Sequence, residues 1–160
     1  MEQQRTNDCL ESAVRLYSNM VYRLAFSQTR NKSDADDIYQ EVFFRYIRKK
    51  PQFETEEHRK AWLIRVTVNC CKKIWASAWM RKMVPLEDTI TFEMGEENNI
   101  NYELRKLPMK YRAVIHLFYY EDLSIEEISK ALNQNPSTIR TQLTRARCKL
   151  KKVLKEDYDV

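Results

Sequence analysis

SIEEISKALNQNPSTIRTQLTRARCKLKKVL, spanning Ser124–Leu154, reads as two helices joined by a tight turn. Ser124 followed three residues later by Glu127 predicts a capping box that opens a helix carrying Ile125, Ile128 and Leu132 on one side. That helix runs out at Asn133-Gln134-Asn135, and Asn is the residue besides Gly that tolerates the left-handed conformation such turns need. Asn135 is then the expected cap of a second helix with Pro136 at its first position, where a missing N–H is harmless.

In the second helix Ile139, Leu143, Ala146 and Leu150 fall within one narrow arc at 3.6 residues per turn. Thr141, Thr144, Arg145 and Cys148 lie opposite, with Arg140 and Arg147 on a flank. From Ile128 to Lys155 there is no Asp or Glu, while Lys130, Arg140, Arg145, Arg147, Lys149, Lys151, Lys152 and Lys155 are all positive. Such a unit buries one face and offers Arg and Thr on the other, which suits a DNA major groove. An ordinary helical hairpin with a solvated basic face is the bland alternative. The short turn, capped ends and acid-free window together argue for a helix-turn-helix.

Working outward, 160 residues allow one domain or two small ones. A single Gly and four Pro leave little material for hairpins or sandwiches, so the expected fold class is all-α. One Gly also excludes glycine-rich phosphate loops and dinucleotide fingerprints. Net charge is a modest +5 but unevenly spread. Cys9, Cys70, Cys71 and Cys148 lack paired metal-ligand spacing, and His58 and His116 are isolated, so neither a metal site nor any other cofactor is expected. With no signal peptide and no apolar run near 20 residues, reduced thiols in a cytoplasmic protein without membrane insertion are expected.

Residues Met1–Asn7 are polar and expected to fray, and Leu10–Thr29 carries Leu10, Val14, Tyr17, Val21, Leu24 and Ala25 at helical spacing, a core stripe. Ser33 with Asp36 is expected to start a second helix running to about Lys49, its apolar side holding Ala35, Ile38, Tyr39, Val42, Phe43 and Tyr46. Its other side groups Asp37, Gln40, Glu41 and Phe44, open to two readings: a solvated face or a protein docking face. From His58 to Leu86 acids vanish again, while Arg59, Lys60, Arg65, Lys72, Lys73, Arg81 and Lys82 appear beside all three tryptophans, Trp62, Trp75 and Trp79. Trp62, Arg65, Asn69, Lys72 and Lys73 share one helical face, with Trp79 at its margin, whereas Trp75 is expected in the core with Ile74 and Val68. Cations follow phosphates, rings stack bases and Asn reads a base edge, so that face is expected to hold single-stranded nucleic acid. A buried Trp-rich helix with snorkelling cations is the alternative. Pro85–Asn101, PLEDTITFEMGEENNIN, has five acids and no base and reads as a flexible linker. Helix is expected again over Tyr102–Leu107 and from Pro108, with Ala113, Val114, Leu117, Phe118 and Tyr119 packing on the helix-turn-helix.

This layout resembles the extracytoplasmic-function (ECF) group of sigma-70 family RNA polymerase sigma factors, over roughly Leu10 to Leu154. DADDIYQEVFFRYIR (Asp34–Arg48), RKAWLIRVTVN (Arg59–Asn69), LPMKYRAVIHLFYYEDLSIEEISKAL (Leu107–Leu132) and STIRTQLTRARCKL (Ser137–Leu150) carry the resemblance. It implies a region-two module over residues 8–84, a linker over 85–101 threading toward the active-centre cleft, and a region-four module over 102–157. It implies that Asp37, Gln40, Glu41 and Phe44 dock on the clamp helices of the largest core-polymerase subunit, favouring the docking reading of that face. It further implies minus-ten contacts by Arg59, Lys60, Trp62, Arg65, Asn69, Lys72 and Lys73, and minus-thirty-five contacts by Ser137, Thr138, Arg140, Thr141, Thr144, Arg145 and Arg147. The other partners implied are the flap of the second-largest subunit, promoter DNA and a separate anti-sigma factor. Two departures stand out: Asn133 replaces a customary Gly, and Lys73 with IWASAW replaces a customary Asp and a more basic run.

Energetics also call for a partner. Separating about ten base pairs at roughly 1.4 kcal/mol per step costs on the order of 14 kcal/mol. Stacking returns only ~1–3 kcal/mol per base, on a face with room for about two or three. Two other classes compete. A stand-alone helix-turn-helix regulator predicts a ligand pocket or dimer face. A nucleic-acid enzyme needs paired carboxylates or metal ligands on a nucleic-acid face, and both acid-free windows oppose catalytic residues there.

Overall fold

A computed structural model describes residues 2–80 and 106–158, with side chains for 9–77 and 106–155. Every element among them is helical, and the chain divides into two compact units, Met1–Leu86 and Glu87–Val160. The expected linker and most of the helix expected over Tyr102–Leu107 lie outside the described residues; Lys106 and Leu107, which are described, form a turn and a bend rather than helix.

The first unit is three mutually packed helices, α1 (Glu2–Thr29), α2 (Lys32–Lys49) and α3 (Glu56–Met80). Helix α1 begins at Glu2 rather than fraying to Leu10. Packing from Ala13 onward supplies the nucleus, and strong helix formers such as Glu and Gln extend it at little cost. Arg30, at φ 55°, ends α1. The start of α2 differs from the expected Ser33–Asp36 cap: Asn31, in extended conformation, accepts the Asp34 N–H at 3.1 Å. Asn caps at least as well as Ser, and the overlapping Asn31-x-x-Asp34 pattern wins. Lys50, left-handed at φ 43°, closes α2 just before Pro51.

The core of this unit stacks Val21, Leu24 and Ala25 of α1 with Ala35, Ile38 and Val42 of α2 and Leu63, Ile64 and Cys71 of α3. Each large side chain fully buried there contributes roughly 1.5–3 kcal/mol. Trp75, expected inside, is 44% exposed. Its indole N–H donates to the Gln28 backbone carbonyl at 3.2 Å, so the polar edge is anchored and the ring stays at the boundary.

The second unit holds α4 (Met109–Ile115), α5 (Ile125–Leu132) and α6 (Pro136–Tyr158). Pro108 precedes α4 as its cap residue, and α4 runs on into a π-helical turn over His116–Tyr120. That turn leaves Leu117 fully buried and Tyr119 and Tyr120 about half exposed. Its exit is fixed by Leu123 N–H donating to the Leu117 carbonyl at 3.0 Å, and by buried His116 meeting Glu121 at 3.2 Å and stacking on Tyr120. Helix α5 opens with the expected capping box: Ser124 Oγ accepts the Glu127 N–H at 3.1 Å, and Glu127 accepts the Ser124 N–H at 3.3 Å. Asn133 takes the left-handed conformation, φ 55° and ψ 47°, and the Asn133 and Gln134 N–H groups both donate to the Ser129 carbonyl. Ile128, Ile139, Leu143 and Ala146 are buried between α5, α6 and the preceding helix.

Candidate polymerase and nucleic-acid interface

Three faces hold the residues singled out from sequence. On α2, Asp37, Gln40 and Phe44 are exposed and Glu41 is half-buried. Phe44 is 56% exposed and Ile47, one turn on, 41%, an apolar pair within a polar surface. Glu41 does not stand as an open acid: its Oε1 accepts from Arg45 Nε at 2.9 Å and Arg48 Nη2 at 3.2 Å. The Arg45 hydrogen bond, with the charge of both arginines, holds the carboxyl below its usual range. Sequence reading missed Ile47, Arg45 and Arg48, although Arg45 and Arg48 at four and seven residues from Glu41 were the available signal.

On α3, Arg65, Asn69, Lys72 and Lys73 are exposed together, within an arc of about 100° around the helix. Two of the seven expected contacts are directed elsewhere. Arg59 is buried at 7% exposure, donating to Glu56 at 2.5 and 3.0 Å and to Ser12 at 3.3 Å, with its guanidinium over the Tyr17 ring. It joins α3 to α1, and burial requires that pairing. Trp62 turns inward, edge-on to Tyr46 and Phe53 at 5.8 and 6.0 Å. Lys60 is half-buried, and the side chain of Trp79 lies outside the described residues.

On α6, Ser137, Thr138, Arg140, Thr141, Thr144 and Arg145 are all exposed, opposite the buried Ile139, Leu143 and Ala146. The Thr141 hydroxyl donates to the Ser137 carbonyl at 3.0 Å. The turn is locked by bonds that periodicity did not reveal. Gln142 Nε2 donates to Gln134 Oε1 at 3.1 Å, and the buried Ser129 hydroxyl donates to the Gln134 carbonyl. Ser129, a polar residue inside the apolar stripe of α5, was the one hint. Arg147 is turned aside, its Nε–H donating to the Tyr119 hydroxyl at 2.7 Å.

Comparison with known proteins matches the Sigma-70 region 2 family model to residues 13–81 and the Sigma-70 region 4 model to residues 98–150. The RNA polymerase sigma factor SigV of Bacillus subtilis is 30% identical over 155 residues, covering 91% of this chain and 90% of that protein. The chain belongs to the sigma-70 family of RNA polymerase sigma factors, in its ECF group. The ECF RNA polymerase sigma factor SigW of the same organism is 28% identical, over 93% of this chain and 90% of its own length. Among solved structures, the sigma factor RpoE of Bartonella quintana, in complex with the anti-sigma factor NepR, shares the fold at a TM-score of 0.70 and 20% identity. That match covers 91% of this chain and 96% of RpoE. CnrH, in complex with the cytosolic domain of CnrY, also gives a TM-score of 0.70 at 20% identity, covering 94% and 90%. This sigma factor directs promoter-specific initiation of transcription, and a stand-alone regulator is not favoured. Sigma factors as a family are not enzymes. Among the described residues no helix is long and apolar enough to cross a membrane.

Proposed function

We propose a division of labour among the three faces of this sigma factor. Asp37, Gln40, Glu41 and Phe44, with Ile47, dock on the clamp helices of the largest polymerase subunit. Arg65, Asn69, Lys72 and Lys73 hold the opened minus-ten element: the cations follow the phosphates, and the Asn69 amide reads an extruded base edge. Ser137, Thr138, Arg140, Thr141, Thr144 and Arg145 enter the major groove of the minus-thirty-five element, while the second unit also meets the flap of the second-largest subunit. The observation that carries this reading is the exposure of polar and cationic side chains on α3 and α6, each opposite a closed apolar core. The chain performs no chemistry of its own and works in the cytoplasm, where its polymerase is. A separate anti-sigma factor is its proposed inhibitor, since RpoE and CnrH were each solved with NepR and CnrY bound.

Run-off transcription with purified core polymerase on a library of genomic fragments tests the division. The Asp37→Ala/Glu41→Ala pair is expected to weaken core binding. The Arg140→Ala/Arg145→Ala pair is expected to weaken promoter recognition at unchanged core affinity. Tight, specific duplex binding by the free protein, indifferent to core, would contradict it.

A further inference from the structure

We propose that Arg147 is a positioning residue rather than a DNA contact: it straps α6 to the π-helical turn through Tyr119 and so sets the angle at which the helix meets the minus-thirty-five element. This inference rests on the reading of α6 as the minus-thirty-five helix. The Arg147 Nε–H donates to the Tyr119 hydroxyl at 2.7 Å, and its guanidinium lies 5.5 Å from the Phe118 ring centre and 5.6 Å from that of Tyr119. Arg147 is exposed, but its guanidinium lies against two rings that stand nearly perpendicular to each other and its Nε–H is committed to a phenol, which holds the group along the protein surface.

Position along the helix agrees. Arg147 lies ten residues beyond Ser137, about 15 Å further along at 1.5 Å per residue, and recognition helices touch base edges with their N-terminal residues. Around the helix it sits about 75° from the centre of the Ile139–Leu143–Ala146 stripe, at the border of the packed side, whereas Thr141 lies nearly opposite that stripe. Past Leu143 the stripe narrows to the small, fully buried Ala146 before resuming at the half-buried Leu150. At that narrow level the Arg147–Tyr119 strap supplies a lateral stop. It also gives the π-helical turn a use, because that turn carries Phe118 and Tyr119 to the edge of the core.

The test uses the full chain assembled with core polymerase on a promoter fragment obtained from the run-off library. Promoter affinity is measured across a potassium chloride series for wild type, R147Q, R147K, Y119F and the R147Q/Y119F double variant, with R140A/R145A alongside. Both R147Q and Y119F are expected to lose about threefold to tenfold in affinity with no change in the slope of log K against log[salt]. The double variant loses no more than the larger single, and R147K loses as much as R147Q because Lys cannot reproduce the Nε geometry. A slope smaller by about 0.9 in R147Q, the signature of one lost phosphate contact, overturns the proposal. So do full retention of affinity by R147K, multiplying losses in the double variant, or wild-type affinity in both singles. If R140A/R145A itself leaves promoter affinity intact, the reading of α6 fails, which separates that failure from failure of the strap.

Discussion

Replacing Asn133 probes the turn on which the helix-turn-helix depends. Asn133 sits at φ 55° and ψ 47°, is exposed, and sends its own N–H to the Ser129 carbonyl. Because its side chain faces water, substitution changes backbone preference and little packing. A left-handed residue with a Cβ carries a penalty of roughly 1–2 kcal/mol, partly relieved for Asn, so Asn133→Ala is expected to destabilise the second unit by about 1 kcal/mol. Asn133→Val, β-branched, is expected to lose about 2 kcal/mol. Asn133→Gly removes the Cβ penalty but frees the unfolded chain, and the two effects nearly offset, leaving a change within ~0.5 kcal/mol. For a unit of this size 1 kcal/mol moves Tm by roughly 4–8 °C. Differential scanning calorimetry of the full chain, following the transition of the second unit, gives the ranking. Equal Tm for all four proteins, or a Gly variant less stable than the Ala variant, would refute the claim that the left-handed position governs this turn.

Other outcomes follow from burial and pairing. Ile139, fully buried at the heart of the helix-turn-helix, is expected to cost about 2–5 kcal/mol as Ile139→Ala and about 1 kcal/mol as Ile139→Val, read by urea unfolding. Arg59→Ala is expected to lower the Tm of the first unit while leaving the salt dependence of promoter binding unchanged, because its guanidinium is committed to Glu56 and Ser12. Cys9 and Cys148 are exposed and Cys70 and Cys71 buried, and burial pushes the Cys70 thiol up. Two thiols are therefore expected to react with a disulfide reagent in the mixing time and two only on unfolding. The hydrogen bonds from Arg59 and then Tyr17 hold the Glu56 carboxyl below its ordinary 4.5. A depressed carboxyl contributes stability that is full above its ordinary value and fades as pH falls through the folded one. Urea-unfolding free energies of wild type and Glu56→Gln are accordingly expected to differ near neutrality and to converge as pH falls well below 4.5.

The helix-turn-helix was legible because each of its devices is local. Ser124 and Glu127 are three residues apart, Asn133 is a known tolerator of positive φ, and the Ile139–Leu143–Ala146 stripe is periodic. The α2 core stripe and the exposed Arg65–Asn69–Lys72–Lys73 face were legible for the same reason. Arg59, Trp62 and Trp75 were not, because their fates depend on residues far away: Ser12 and Tyr17 for Arg59, Tyr46 for Trp62, the Gln28 carbonyl for Trp75. Periodicity assigns a residue to a side of a helix. It cannot say which other element crosses that side. The π-helical turn was hidden too, since His116–Glu121 pairing and Tyr119–Arg147 contact stabilise a backbone that local propensity does not favour. Glu41 shows the same limit: its type is visible in sequence, but its neutralisation by Arg45 and Arg48 depends on rotamers.

The central claim is that the chain opens DNA only in partnership, gripping the unpaired strand on α3 and the upstream duplex on α6. Its most direct test is the fluorescence of 2-aminopurine placed in the minus-ten element of a responsive promoter, followed after mixing. The account expects a rise when core polymerase and this sigma factor are both present, none with either alone, and a diminished rise with Lys72→Ala/Lys73→Ala. A rise with the free chain, or an unchanged rise in the lysine variant, contradicts it.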